Sequence, residues 1–227
     1  MNDRTWSALR TDRTLAFHTS HPEGPAQRLL ILLHGVGGNE TNLAPLAEAM
    51  PADTLIALAR APLTLGAGQY AWFQVSFGPQ GPRPDLIAAE NSRQQIAQFI
   101  AELQDEYTVS PASTVVAGFS QGGIMSASVG LTRPELVAGF GILAGRILPE
   151  LEPQLAERAA LARIRAFIGH GRSDTKLPVD WAHRADAWLS NLGIPHETHL
   201  YPGDHGISPA MYKDFASWFI ALTSQEK

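Results

Sequence analysis

The sequence contains no cysteine. A disulfide framework and a thiolate nucleophile are therefore excluded, and a reducing cytosol is a compatible home. No stretch approaches eighteen uninterrupted apolar residues, so no transmembrane helix and no stable membrane insertion are expected. The first residues, MNDRTWSALRTDRTLAF, lack a positive segment followed by an apolar one, so no secretory signal is expected and the expected location is cytoplasmic. Positive charge is also in short supply. Lys and Arg number 17 against 22 Asp and Glu, a formal net charge of −5, which argues against non-specific nucleic-acid binding. Internal repeats, heptads and low-complexity tracts are missing. No linker rich in Gly, Ser or charge divides the 227 residues, which read as one domain, 1–227.

What remains is an ordinary globular balance, 44% hydrophobic and 17% charged, with enough apolar side chains for a sizeable core. RLLILLHG (28–35) is a short apolar run ended by glycine, the pattern of a strand buried on both faces. TNLAPLAEAM follows as a helix, then DTLIALA as a strand. Residues 63–85 read as a long loop rich in Gly and Pro, with Tyr70, Trp72, Phe73 and Phe77 among them. Residues 85–107 keep Ile96, Phe99, Ile100, Leu103 and Tyr107 on one helical face. A strand at 113–118 leads into a helix of small residues, IMSASVGLT. LVAGFGILAG, IRAFIGHG and HETHLYPG read as further strands. Residues 150–162 and 178–192 read as helices, and Met211, Phe215, Trp218 and Phe219 mark a last one. Alternating strands and helices predict an α/β fold, a mostly parallel central sheet with helices on both faces.

AGFSQGG places Ser120 between Gly118 and Gly122, after a strand and before a helix. A strand-to-helix turn tight enough to thrust a serine out at the sheet edge crowds its neighbours, and glycines remove the side chains that would collide. The helix aims its N-terminal N–H groups at the serine, so the Gln121 N–H can hold an oxyanion. A glycine-rich turn without chemistry is the plain alternative. A serine hydroxyl needs a base, and the base needs an acid to fix its tautomer. In this topology they follow in the order Ser, Asp or Glu, His. FIGHGRSDTKLP supplies Asp174 just past one strand, and LYPGDHGIS supplies His205 just past the next. Asp174 could instead cap a helix, and His205 could be an ordinary loop histidine. LLHGVGGNE offers the Val36 N–H as second oxyanion donor. It lacks the residues and spacing of a phosphate loop.

HETH (196–199) spaces its histidines by three on an expected strand, which points them to opposite faces, so no metal site is expected. Trp181 and Trp188 share a helical face and read as core. In the long loop, Leu65, Trp72 and Phe77 are the candidate substrate-binding residues, with Leu63 and Val75 as further groove lining.

Taken together, LHGVGGN, AWF, GFSQGG, HGRSDTKLP and GDHGIS resemble the phospholipase/carboxylesterase family of α/β-hydrolases, which includes bacterial carboxylesterases and acyl-protein thioesterases. The resemblance implies an α/β-hydrolase fold and a serine hydrolase acting on carboxylic esters without a cofactor. It implies Ser120 as nucleophile, Asp174 as orienting acid, His205 as base, and Val36 and Gln121 as N–H donors. Two positions depart from the family pattern: Asp204 replaces a common glycine, and Leu177 a frequent valine. The expected substrate is a small ester of short to medium acyl chain. Lysophospholipids or S-acylated proteins are the alternative, and a non-catalytic binding module on a hydrolase fold is a further one. The sequence does not fix the oligomeric state; a homodimer is one option, on the general frequency of two-fold dimers alone.

Overall fold

The computed structural model describes residues 4–22, 24–78 and 81–224; the side chains of residues 77, 78, 81 and 82 lie outside that description. Along the chain come β1 (Phe17–Ser20), β2 (Arg28–Leu33), α1 (Ala44–Ala47), β3 (Thr54–Ala59), β4 (Leu63–Gly66), β5 (Gln69–Ala71), β6 (Val75–Gly78) and β7 (Gly81–Pro84). They are followed by α2 (Leu86–Tyr107), β8 (Thr114–Phe119), α3 (Gln121–Thr132), β9 (Gly139–Leu143), α4 (Arg158–Leu161), β10 (Arg165–Gly171), α5 (Asp180–Leu192), β11 (His196–Tyr201) and α6 (Pro209–Thr223).

Seven strands form one sheet in the order β1-β3-β2-β8-β9-β10-β11. All pair in parallel except β1, which runs antiparallel to β3 along the edge. The central strands are continuous apolar runs because both faces are covered. Leu29, Ile31 and Leu33 of β2 join a core with Ile96, Phe99 and Leu103 of α2, Met125 of α3 and Leu189 of α5. Leu30 and Leu32 point the other way, into a core with Leu46 of α1 and Phe215, Trp218 and Phe219 of α6. Each fully buried side chain of this size contributes about 1.5–3 kcal/mol. Helices thus lie on both faces, as the alternation predicts.

Helix starts follow local chemistry. The Asp85 carboxylate accepts from the N–H groups of Ile87 and Ala88 at the head of α2. Ser208 does the same for Met211 at the head of α6, with Pro209 in the first turn. Three expectations need correction. Residues 63–85 are not one loop: they fold into two antiparallel hairpins, β4–β5 and β6–β7. Residues 150–162 are a 3-10 turn (Pro149–Gln154) and the single-turn α4, because Pro149 and Pro153 withhold the N–H groups a long helix needs. TNLAPLAEAM likewise gives a 3-10 turn (Glu40–Leu43) and the single turn of α1.

Candidate active site

At the end of β8 the backbone of Ser120 takes φ 53°, ψ −114°, a region that costs a side-chain-bearing residue about 1–3 kcal/mol. The surroundings hold it there. The Ser120 N–H donates to the Leu143 carbonyl at 2.8 Å, and the Ser120 carbonyl accepts from the Ile124 N–H at 3.1 Å. Gly118 and Gly122 are required by contact. A Cβ on Gly118 would stand 2.3 Å from the Gly122 carbonyl carbon, and a Cβ on Gly122 would stand 2.0 Å from the Leu33 oxygen. The motif therefore marks where β8, α3 and β2 touch backbone to backbone.

Asp174 lies in the turn after β10 and His205 in the turn after β11. Asp174 is buried. Its Oδ1 accepts from the N–H groups of Lys176 and Leu177 at 2.9 and 2.8 Å, leaving Oδ2 for His205 Nδ1 at 2.7 Å. The carboxylate can only accept, so Nδ1 carries the proton and Nε2 is free to accept. Nε2 stands 3.0 Å from Ser120 Oγ. The Phe119 ring packs against the imidazole, centroids 4.9 Å apart. The structure thus brings together Ser120, Asp174 and His205, which are far apart in sequence.

Two residues outside the candidate triad steady these turns. Asp204 accepts from the Thr175 N–H and hydroxyl and from the His205 N–H, clasping the two turns to each other. Those bonds, the Thr175 N–H first, hold its carboxyl below the usual range. His170, fully buried in β10, sets Nε2 at 2.7 Å from the Leu177 carbonyl and 3.3 Å from Asp174 Oδ2. A carbonyl only accepts, so Nε2–H points at the acid's own turn. Its place in the quoted HGRSDTKLP segment was the available signal.

Val36 lies in the loop after β2, stitched to β5 by Gly37 N–H to Tyr70 O and Tyr70 N–H to Gly38 O, both 2.9 Å. Neither bond uses the Val36 N–H. Beneath the loop, His34 donates from Nδ1 to the Gly35 carbonyl and accepts at Nε2 from the Ala61 N–H, so it is the neutral tautomer. Burial holds its pKa below the ordinary 6.5. Gln121 opens α3, where a first-turn N–H has no intrahelical acceptor. Its side chain is spent elsewhere: Oε1 accepts from the Trp72 N–H and Nε2 donates to the Phe73 carbonyl, both at 2.8 Å.

The candidate substrate-binding residues do not gather into one wall. Trp72 has no exposed surface, and its indole N–H donates to the His34 carbonyl at 2.9 Å. It supports the loop from below, and its expected place on a pocket surface is corrected on that ground. Leu65, on β4, is 48% exposed. Phe77 contributes backbone to β6, and its side chain lies outside the described residues. Trp181 is half-buried rather than core, with Arg146 and Arg184 guanidinium groups over its ring. His196 bonds to Asp186 of α5, whereas His199 stacks on Phe167 on the other face, as the strand alternation predicts. No helix among the described residues is long and apolar enough to cross a membrane.

The model of the family described as Phospholipase/Carboxylesterase matches residues 16–224. The chain belongs to that family. It is a serine hydrolase of the carboxylesterase class. Among curated relatives, this member of the phospholipase/carboxylesterase family is 28% identical over 201 residues to acyl-protein thioesterase 1 of Kluyveromyces lactis, covering 78% of this chain and 87% of the relative. Among solved structures it resembles esterase PE8 with TM-score 0.79 and 26% identity, over 90% of this chain and 97% of the other. A Bacillus cereus carboxylesterase superposes with TM-score 0.80 at 21% identity, over 93% and 96%, a likeness of fold.

Proposed function

We propose that the protein hydrolyses small carboxylic esters through Ser120, His205 and Asp174, with an acyl-enzyme intermediate. The observation that carries this reading is the unbroken hydrogen-bonded line from Asp174 Oδ2 to His205 to Ser120 Oγ, with spans of 2.7 and 3.0 Å. His205 Nε2 takes the Ser120 proton as Oγ attacks the carbonyl carbon. The oxyanion is met by the Val36 and Gln121 N–H groups. The C–O bond to the alcohol breaks, and the alcohol oxygen leaves with the proton from His205. Water, giving its proton to Nε2, then attacks the acyl-enzyme, and Ser120 is released with its proton restored. Asp174 keeps the imidazole in the tautomer that every step requires.

The test is hydrolysis of p-nitrophenyl esters from acetate to palmitate by wild type and Ser120→Ala. We expect turnover on short chains and a loss on the order of 10⁶ in kcat in the variant. Full activity in Ser120→Ala would defeat the proposal. Failure of a fluorophosphonate probe to label Ser120 would favour the binding-module reading instead.

A second reading, hydrolysis of S-acylated proteins or lysophospholipids, is supported by the similarity to acyl-protein thioesterase 1 of Kluyveromyces lactis. A steep preference for long acyl chains in the same series would favour it. We place the protein in the cytoplasm, consistent with a sequence free of cysteine; cell fractionation tests this.

A further inference from the structure

Beside the reacting groups lies a cleft of about 260 Å³. Val36, Asn42 and Leu43, from the stretch after β2, form part of its lining. Phe119 comes from the end of β8, and Ile207 and Tyr212 from the stretch after β11. The cleft borders both members of the reacting pair. Phe119 packs on the His205 imidazole. Gly35, another lining residue, approaches Ser120 so closely that a Cβ there would stand 3.4 Å from the serine Cβ.

We infer that this cleft receives the alcohol portion of the ester and selects compact, uncharged alcohols with a branched-alkyl or aromatic body. The inference rests on the ester-hydrolase reading above. When the tetrahedral intermediate collapses, the departing oxygen takes its proton from His205 Nε2, so it must lie within hydrogen-bond reach of that nitrogen. The carbons attached to it therefore lie on the imidazole side, where the cleft runs between the His205 segment and the Val36 loop. Three features set the selectivity. The volume lies below the roughly 300–1,000 Å³ of pockets for drug-sized ligands, which limits the occupant to a compact group. Val36, Leu43, Phe119 and Ile207 contribute apolar lining, and Asn42 and Tyr212 are the lining residues with polar side chains. No lining residue carries a formal charge, so a leaving group bearing phosphate would find no counter-charge in the cleft. The same cleft thus disfavours the glycerophosphate end of a lysophospholipid.

The test separates the two sides of the ester. With acetate as the constant acyl group, kcat/KM is measured for methyl, cyclohexyl and benzyl acetate and for 2-acetoxyethyl phosphate. With methanol as the constant alcohol, the acyl chain is varied from acetate to octanoate. Wild type, Ile207→Asp and Tyr212→Ala are compared, the second variant guarding against misfolding of the first. In wild type, benzyl acetate should exceed the phosphate ester. In the variants the benzyl-to-methyl ratio should fall about tenfold, while the octanoate-to-acetate ratio moves less than about twofold. An unmoved alcohol ratio, or a shift confined to the acyl ratio, overturns the assignment of the cleft while leaving the hydrolase reading intact. Failure of wild type to hydrolyse any of these esters removes that reading, and this inference with it.

Discussion

Ser120 and its two partners are held in place by different means. Around Ser120 the backbones of β2, β8 and α3 meet so closely that Gly118 and Gly122 leave no space for a Cβ. Around Asp174 and His205 backbones also come close, a Cβ on Gly171 standing 2.5 Å from the Asp204 carbonyl oxygen, but hydrogen bonds fix the side chains: two N–H groups on Asp174 Oδ1, and the Asp204 clasp between the turns. The contrast separates two kinds of precision. A contact set by backbone exclusion admits no gradation, whereas a turn set by hydrogen bonds can be loosened one bond at a time.

Among changes to the residues that support Ser120, the largest expected effect on rate falls on the hydrogen-bonded side. Asp174→Asn should lower kcat by about 10⁴ with little change in fold, because the amide can present its N–H to Nδ1 and leave the proton on Nε2, the wrong tautomer. Steady-state kinetics on p-nitrophenyl acetate, with circular dichroism as the check on folding, reads this. The excluded side should break in stability first. Gly122→Ala must force Leu33 and α3 apart, costing about 3 kcal/mol or more, since overpacked sites typically lose 1–3 and this contact is far inside van der Waals distance. Urea denaturation measures that loss, and a midpoint within error of wild type would contradict it.

Smaller changes sharpen the comparison. Asp204→Ala should cost about tenfold in kcat, less than the roughly 100-fold of a 1 Å misplacement, and Asp204→Asn should recover most of it because Oδ1 still accepts. If Asn fails to rescue, the charge rather than the clasp matters. The smallest effect concerns His34 beneath the Val36 loop. Its folded pKa lies below 6.5, so on acidification the unfolded chain takes the proton first. Stability from this group is complete above pH 6.5 and declines as pH falls below it. His34→Gln should flatten that decline in urea midpoints measured between pH 7 and 5, whatever its effect on the absolute midpoint.

The two regions also differ in how openly the sequence announces them. Gly118, Ser120 and Gly122 sit within five residues after an apolar run, and steric need fixes the two glycines. Asp174 and His205 were legible through chain order and position past strands. The supports were not. His170 looks like any strand residue until the turn folds back over it, and Asp204 read as a departure from pattern rather than as a clasp. Trp72 read as a pocket residue because an aromatic among glycines suggests exposure, yet its N–H groups found buried partners in Gln121 and His34. Most central strands followed from apolar runs. The hairpins within 63–85 did not, because Gly and Pro mask the alternation that marks a strand. β1 escaped notice because FHTS has little apolar character of its own and is specified by its pairing with β3.

The contacts around Ser120 also bear on when catalysis becomes possible during folding. The turn at Ser120 leans on Leu33 in β2 and on Leu143 in β9, roughly ninety residues before Ser120 and twenty after it. Neither support exists in an isolated β8–α3 segment. Such long-range pairings form slowly, since loop closure precedes the contacts that reward it. Recovery of esterase activity after dilution from denaturant therefore reports the docking of β2 and β9 on either side of β8, and a helical signal should return ahead of it.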